Sequence, residues 1–173
     1  MCSVLTVVLI FTFAVRIVRV SGESMRETLQ DQDMLVVLNN WLCGGYEQGD
    51  IVILQRDDFY GGEPIVKRVI ATEGQTVDID FDAGVVYVDG TALEEPYTRE
   101  PTWTQEGTEF PLTVPEGCIF VMGDNRNDSD DSRDSTLGPV DTRCVLGRAL
   151  LLAVPGPTAD TEQRDWSRVG ILN

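Results

Sequence analysis

Lys67 is the single lysine of a chain that contains no histidine, and it stands inside the apolar run Ile65-Val66-Lys67-Arg68-Val69-Ile70. Apart from the N-terminal amine, no other group has an ordinary pKa that burial can bring down to neutrality. A serine nucleophile in this chain therefore has no imidazole to accept its proton. The available bases are one amine and 29 carboxylates. A lysine dried by its surroundings can deprotonate a hydroxyl. The matching serine is Ser24, in Ser21-Gly22-Glu23-Ser24-Met25. A glycine-containing bend there can expose the Ser24 hydroxyl together with its own amide, supplying a nucleophile and one oxyanion donor. A third polar block, Gly123-Asp124-Asn125-Arg126-Asn127-Asp128-Ser129-Asp130-Asp131-Ser132-Arg133, follows the strand-like Cys118 to Met122 and has the composition of a loop. As a calcium loop it fails on spacing: counted from Asn125, the position that needs glycine holds Asp130, and counted from Asp128 it holds Arg133. No metal and no organic cofactor is implied.

The three blocks, in this order, resemble type I signal peptidases, membrane-anchored proteases that use a serine and a lysine. The resemblance runs from about residue 13 to residue 155, and its most specific part is the third block. It implies that Ser24 in SGESM is the nucleophile and Lys67 in VKRV the general base. In GDNRNDSDDSR, Ser129 matches the serine that orients the amine, and Asp131 and Arg133 match a supporting ion pair. Gly22 stands where the family places a residue of the oxyanion hole, with the Ser21 hydroxyl as a weaker candidate. Glu27 is a departure, since the family usually has proline there, and proline would stiffen the turn after the nucleophile.

The resemblance also implies a substrate and a place. The substrate is the signal peptide of an exported preprotein, extended, with small side chains at the first and third positions before the cut. The place is a single-pass position in the cell membrane with the catalytic domain on the extracytoplasmic side. Two other classes fit parts of the pattern. A self-cleaving serine-lysine regulator shares the dyad but needs a DNA-binding domain or an internal cut site. A non-catalytic acidic extracellular β domain would keep Ser24 in a turn and Lys67 on the surface, far apart.

The chemistry sets its own condition. A solvated lysine, with a pKa of about 10.4, is almost wholly protonated at neutral pH and cannot act as a base. Ile65, Val66, Val69 and Ile70 offer the surroundings that disfavour the ammonium. Arg68 belongs on the opposite face of a strand from Lys67.

The elements that must position these groups read as mainly β. Apolar or alternating runs occur at Met34 to Leu38, Asp50 to Leu54, Ile65 to Thr72, Thr76 to Ile79, Val85 to Val88, Cys118 to Met122 and Val145 to Val154. Turn signals such as Cys43-Gly44-Gly45, Tyr60-Gly61-Gly62 and Asp89-Gly90 separate them. This spacing predicts a folded antiparallel sheet domain, partly barrel-like, over residues 21–155, with a cap-like excursion near 94–115 and a tail at 156–173. Residues 1–20 read as one N-terminal membrane helix. Met1 to Val15 would reach only about 22 Å, so the helix extends to Val20 with Arg16 and Arg19 snorkelling toward lipid headgroups. Charge alone would keep those arginines in the cytoplasm, against the orientation that the resemblance implies. A net charge of −16 excludes nucleic acid as a natural partner. With Cys2 assigned to the membrane, Cys43, Cys118 and Cys144 leave room for one disulfide that spacing cannot choose. Trp166, Val169, Ile171 and Leu172 either meet the membrane interface or close the core.

Overall fold

A computed structural model describes residues 13–158 and 161–172. β-Branched runs form strands β1 Val15–Arg19, β2 Met34–Asn39, β3 Ile51–Leu54, β4 Ile65–Thr72, β5 Thr76–Asp80, β6 Val85–Val88 and β7 Thr91–Ala92. They continue as β8 Leu112–Thr113, β9 Cys118–Met122, β10 Val140–Asp141, β11 Val145–Val154, β12 Pro157–Thr158, β13 Thr161–Arg164 and β14 Gly170–Ile171. The short helix α1 spans Asn40–Cys43. The main sheet runs β1-β2-β11-β3-β4-β9-β10, with β14 joined to β11. A smaller sheet, β7-β6-β5-β8, stands beside it. Every pairing is antiparallel. The main sheet is open and curls as a half-barrel. Register shifts in β11 and in the β4–β9 pairing bend the strands where the curl requires it.

The centre of this sheet decides the site. β4 lies between β3 and β9 and is buried from Val66 through Ala71. A strand covered on both faces reads as a continuous apolar run, as this one does except at Lys67 and Arg68. Three clusters fill the core. One places Met25 and Leu29 against β2, β3 and β11, a second joins β3, β9 and β10, and a third joins the small sheet to β4 and β9. Met25, adjacent to Ser24, is therefore a core anchor.

The N-terminal reading needs correction. Val15–Arg19 form β1 rather than the end of a helix, with Val15 opposite Leu38 and Arg19 opposite Met34. Pairing with β2 satisfies the backbone of an alternating Val-Arg-Ile-Val-Arg segment. The two arginines are engaged within the domain: Arg16 Nε donates to Asn39 Oδ1 and Arg19 Nη2 to Gln32 Oε1, each at 2.6 Å. The expected anchor over residues 1–12 lies outside the described residues. Among the described residues no helix is long and apolar enough to cross a membrane.

The remaining segments are tied to the same body. The tail contributes β14 to the main sheet, and Leu172 packs against the first core cluster, while Trp166 and Ile171 stay exposed. Residues 94–115 contribute β8 to the small sheet and lay residues 104–108 along the third polar block. Thr108 N–H donates to the Arg133 carbonyl at 2.9 Å, and Gly107 bridges Asp134. Cys43, Cys118 and Cys144 are free thiols.

Candidate active site

Ser24 sits in a turn just after β1. Arg26 N–H donates to the Glu23 carbonyl at 3.0 Å and Leu29 N–H to the Met25 carbonyl at 2.8 Å. These bonds, with Met25 and Leu29 buried beneath, hold the turn in the absence of the proline that Glu27 replaces. Lys67 comes up from β4 to meet it: Nζ and the Ser24 Oγ are 2.7 Å apart. Lys67 is 3% exposed. Burial pushes its amine down from an ordinary 10.5 to about 8, opposed in part by the negative fields of Asp131 and Asp130. The pair lies in an open cleft lined also by Ser21, Gly22, Tyr60 and Ser129.

The third polar block closes on the pair from the other side. Asn125 N–H donates to the Ser24 carbonyl at 3.0 Å, and Asn125 Nδ2 to the Glu23 carbonyl at 3.2 Å. Gly123 permits this approach, because a Cβ at that position would lie 2.2 Å from Ser129 Oγ and 2.5 Å from the Ser24 carbonyl oxygen. Ser129 Oγ donates to Asp131 Oδ2 at 3.0 Å, and the same carboxylate accepts from Gly123 N–H at 2.9 Å. Arg133 grips Asp131 through Nε at 2.9 Å and Nη2 at 2.8 Å, both side chains being fully buried. Ser129 thus lines the cleft and is fixed by Asp131, while the hydrogen bond formed by Lys67 is the one to Ser24.

One expected contact comes out differently. The Gly22 N–H is donated to Asp31 Oδ1 at 3.0 Å and does not face the cleft as a free donor. The Ser24 N–H, by contrast, has no acceptor among the described residues, and the Ser21 side chain is exposed on the cleft wall. Asp124 pairs with Arg68. Arg68 donates through Nε at 2.9 Å and Nη2 at 2.7 Å, and its guanidinium lies 4.0 Å over the Tyr97 ring. Thr28 Oγ1 donates to the same carboxylate at 2.5 Å. Arg68 does alternate with Lys67 along β4, but the side opposite the Lys67 amine is buried too. Its charge ties the nucleophile turn, β4 and the third block together.

Sequence reasoning passed over Gly123, Asn125, Arg68 and Glu106. Gly123 and Asn125 lay within the quoted block, but their roles are contacts with a turn about 100 residues away, which spacing cannot reveal. Arg68 carried a signal that went unused: an arginine in a strand too apolar to face water requires a buried carboxylate. Among the described residues no acidic or thiol cluster is arranged to hold a metal ion.

The geometry is that of a hydroxyl and a buried amine within one hydrogen bond, not of two side chains held far apart. The family model described as "Signal peptidase, peptidase S26" matches residues 1–154. The chain is 36% identical over 161 residues to a signal peptidase I of Bacillus licheniformis, covering 88% of this chain and 84% of that one. It is 36% identical over 143 residues to a probable signal peptidase I-1 of Synechocystis, covering 79% and 69%. A solved signal peptidase I from Enterococcus faecalis is 35% identical, with a TM-score of 0.48 over 60% of this chain and 96% of that one. The chain is a serine endopeptidase and belongs to the signal peptidase family, peptidase S26.

Proposed function

We propose that this protein removes signal peptides from exported preproteins at the membrane, with Ser24 as nucleophile and Lys67 as general base. The observation that carries the reading is the 2.7 Å separation between the Ser24 hydroxyl and an amine whose pKa burial lowers to about 8. Neutral Lys67 takes the hydroxyl proton as Ser24 Oγ attacks the scissile carbonyl. The resulting oxyanion meets the Ser24 N–H and the Ser21 hydroxyl. The ammonium then gives its proton to the departing amine, leaving an ester on Ser24. Lys67 next deprotonates a water that attacks the ester, which frees the new carboxylate and restores the serine. Ser129, held by Asp131 and Arg133, forms the wall of the cleft beside the amine and keeps it in place. The names of the curated relatives support the substrate class, since each is called a signal peptidase.

The test is cleavage of a preprotein by the full chain in detergent or lipid. Wild type is expected to cut. Ser24→Ala and Lys67→Ala are each expected to lose at least about a thousandfold, as removal of a nucleophile or its base does elsewhere. Retention of activity in either variant would overturn the assignment.

A further inference from the structure

Glu106 belongs to the 94–115 excursion, far in sequence from every catalytic block, yet the fold seats it on them. Thr108 and Ser135 clamp its segment to the third block: Thr108 N–H donates to the Arg133 carbonyl at 2.9 Å, Thr108 Oγ1 to the Ser132 carbonyl at 3.0 Å, and Ser135 N–H to the Glu106 carbonyl at 3.4 Å. The Glu106 side chain points inward. Its Oε1 is 3.4 Å from Arg133 Nη2, and its Oε2 is buried with no hydrogen-bond partner. The Asp131 backbone N–H favours the anion slightly, but a half-buried carboxylate with one weak ion contact and one unsatisfied oxygen remains poorly stabilised. Nothing in its backbone role requires a carboxylate there.

The charges around it are few and identifiable. Arg133 attracts it, while Asp131 and Asp130 repel it. Asp134, on the neighbouring strand bridge, is turned away and accepts instead from Thr136 N–H and Oγ1, each at 2.8 Å. Ser129, held by Asp131, lines the same cleft as Lys67, and Lys67 is subject to the fields of Asp131, Asp130, Arg133 and, more weakly, Glu106. Arg133 offsets part of the field that Asp131 and Asp130 exert at Lys67, and the charge on Glu106 adds to what remains.

We propose that Glu106 is a positioning residue whose carboxylate, held against Arg133, sets the field in which Lys67 gains and loses its proton. The inference rests on the reading of Lys67 as the base. An ionised Glu106 stabilises the ammonium, both directly and by drawing on the charge of Arg133, and so withholds the base. A protonated Glu106 releases it. Burial pushes the Glu106 carboxyl up to about 7, just below the value of about 8 for Lys67, so Glu106 is the first of the two to lose its proton as pH rises. The wild-type acid limb is then spread over more than one proton, because two interacting groups titrate as a pair.

Because Lys67 is the only lysine, a chain labelled with 13C at lysine Cε gives one side-chain signal, and its titration can be followed in the full chain. Glu106→Gln keeps the size and removes the charge. In that variant the Lys67 titration is expected at lower pH, giving about threefold more neutral amine at pH 7.5 and no difference at pH 5.5, where Glu106 is protonated in wild type. The rate constant kcat/KM for a preprotein should rise by the same factor at pH 7.5. An unchanged Lys67 titration would overturn the proposal. A Lys67 titration that moves without any change in the pH-rate limb would support the coupling and overturn Lys67 as the base. Wild type alone offers a check that no variant can spoil by misfolding: its lysine signal should titrate in two steps, the lower near pH 7, and a single step would again overturn the proposal.

Discussion

The buried amine proposed as the base also weakens the fold, and replacing Lys67 by methionine measures by how much. Methionine has a similar reach, fills the same space and carries no charge. Lowering the pKa from 10.5 to about 8 corresponds to about 3 kcal/mol against the charged form in the folded state. The variant also gives up the hydrogen bond to Ser24, which is worth about 1 kcal/mol. The expected net gain is about 2 kcal/mol. Its sign depends on pH. Below pH 8 the lysine is charged in both folded and unfolded chains, so the whole penalty is present. Between about 8 and 10.5 the unfolded chain holds more protons than the folded one, so wild-type stability climbs with pH. The methionine variant has no such climb. Urea unfolding of both proteins at pH 6.5 and pH 10 should show the variant ahead at the lower pH and level or slightly behind at the higher. A variant no more stable than wild type at pH 6.5, or a difference that does not change with pH, would refute the claim that Lys67 is held dry.

The activity of wild type on a preprotein should fall tenfold for each pH unit well below about 8, the value to which burial lowers Lys67, and a limb near pH 6 would mean another base. Arg68→Leu leaves Asp124 buried and unpaired beneath the nucleophile turn and should cost about 3–5 kcal/mol in chemical unfolding; a loss under about 1 kcal/mol would show that the pair is solvated. Gly123→Ala places a methyl group 2.2 Å from Ser129 Oγ and 2.5 Å from the Ser24 carbonyl oxygen. It should part the two loops and reduce kcat/KM about a hundredfold, as misplacement of reacting groups by about 1 Å does, and near wild-type turnover would show that the loops can separate without harm.

Absence of histidine, one lysine in an apolar run and a serine beside a glycine limit the chemistry before any coordinates are considered. These are properties of residue type, and residue type is local. The strands were legible for the same reason, since β-branched periodicity acts over a few residues; β4 and β11 have the bounds that the sequence suggested, Ile65–Thr72 and Val145–Val154. Val15–Arg19 misled because an apolar segment with two arginines is compatible with both a membrane helix and a paired edge strand. Only the presence of β2 alongside decides between them. The remaining features depend on contacts between distant segments. Ser24 and Lys67 are 43 residues apart, and their 2.7 Å contact exists because the turn after β1 is anchored over the strand that carries the amine. Arg68 finds Asp124 at a separation of 56 residues. Glu106 becomes a neighbour of Arg133 because an excursion folds back along the catalytic loop. The pKa of an amine depends on the water and charge around it, so the sequence could specify that Lys67 was available, but only the packing of β3, β4 and two loops could dry it.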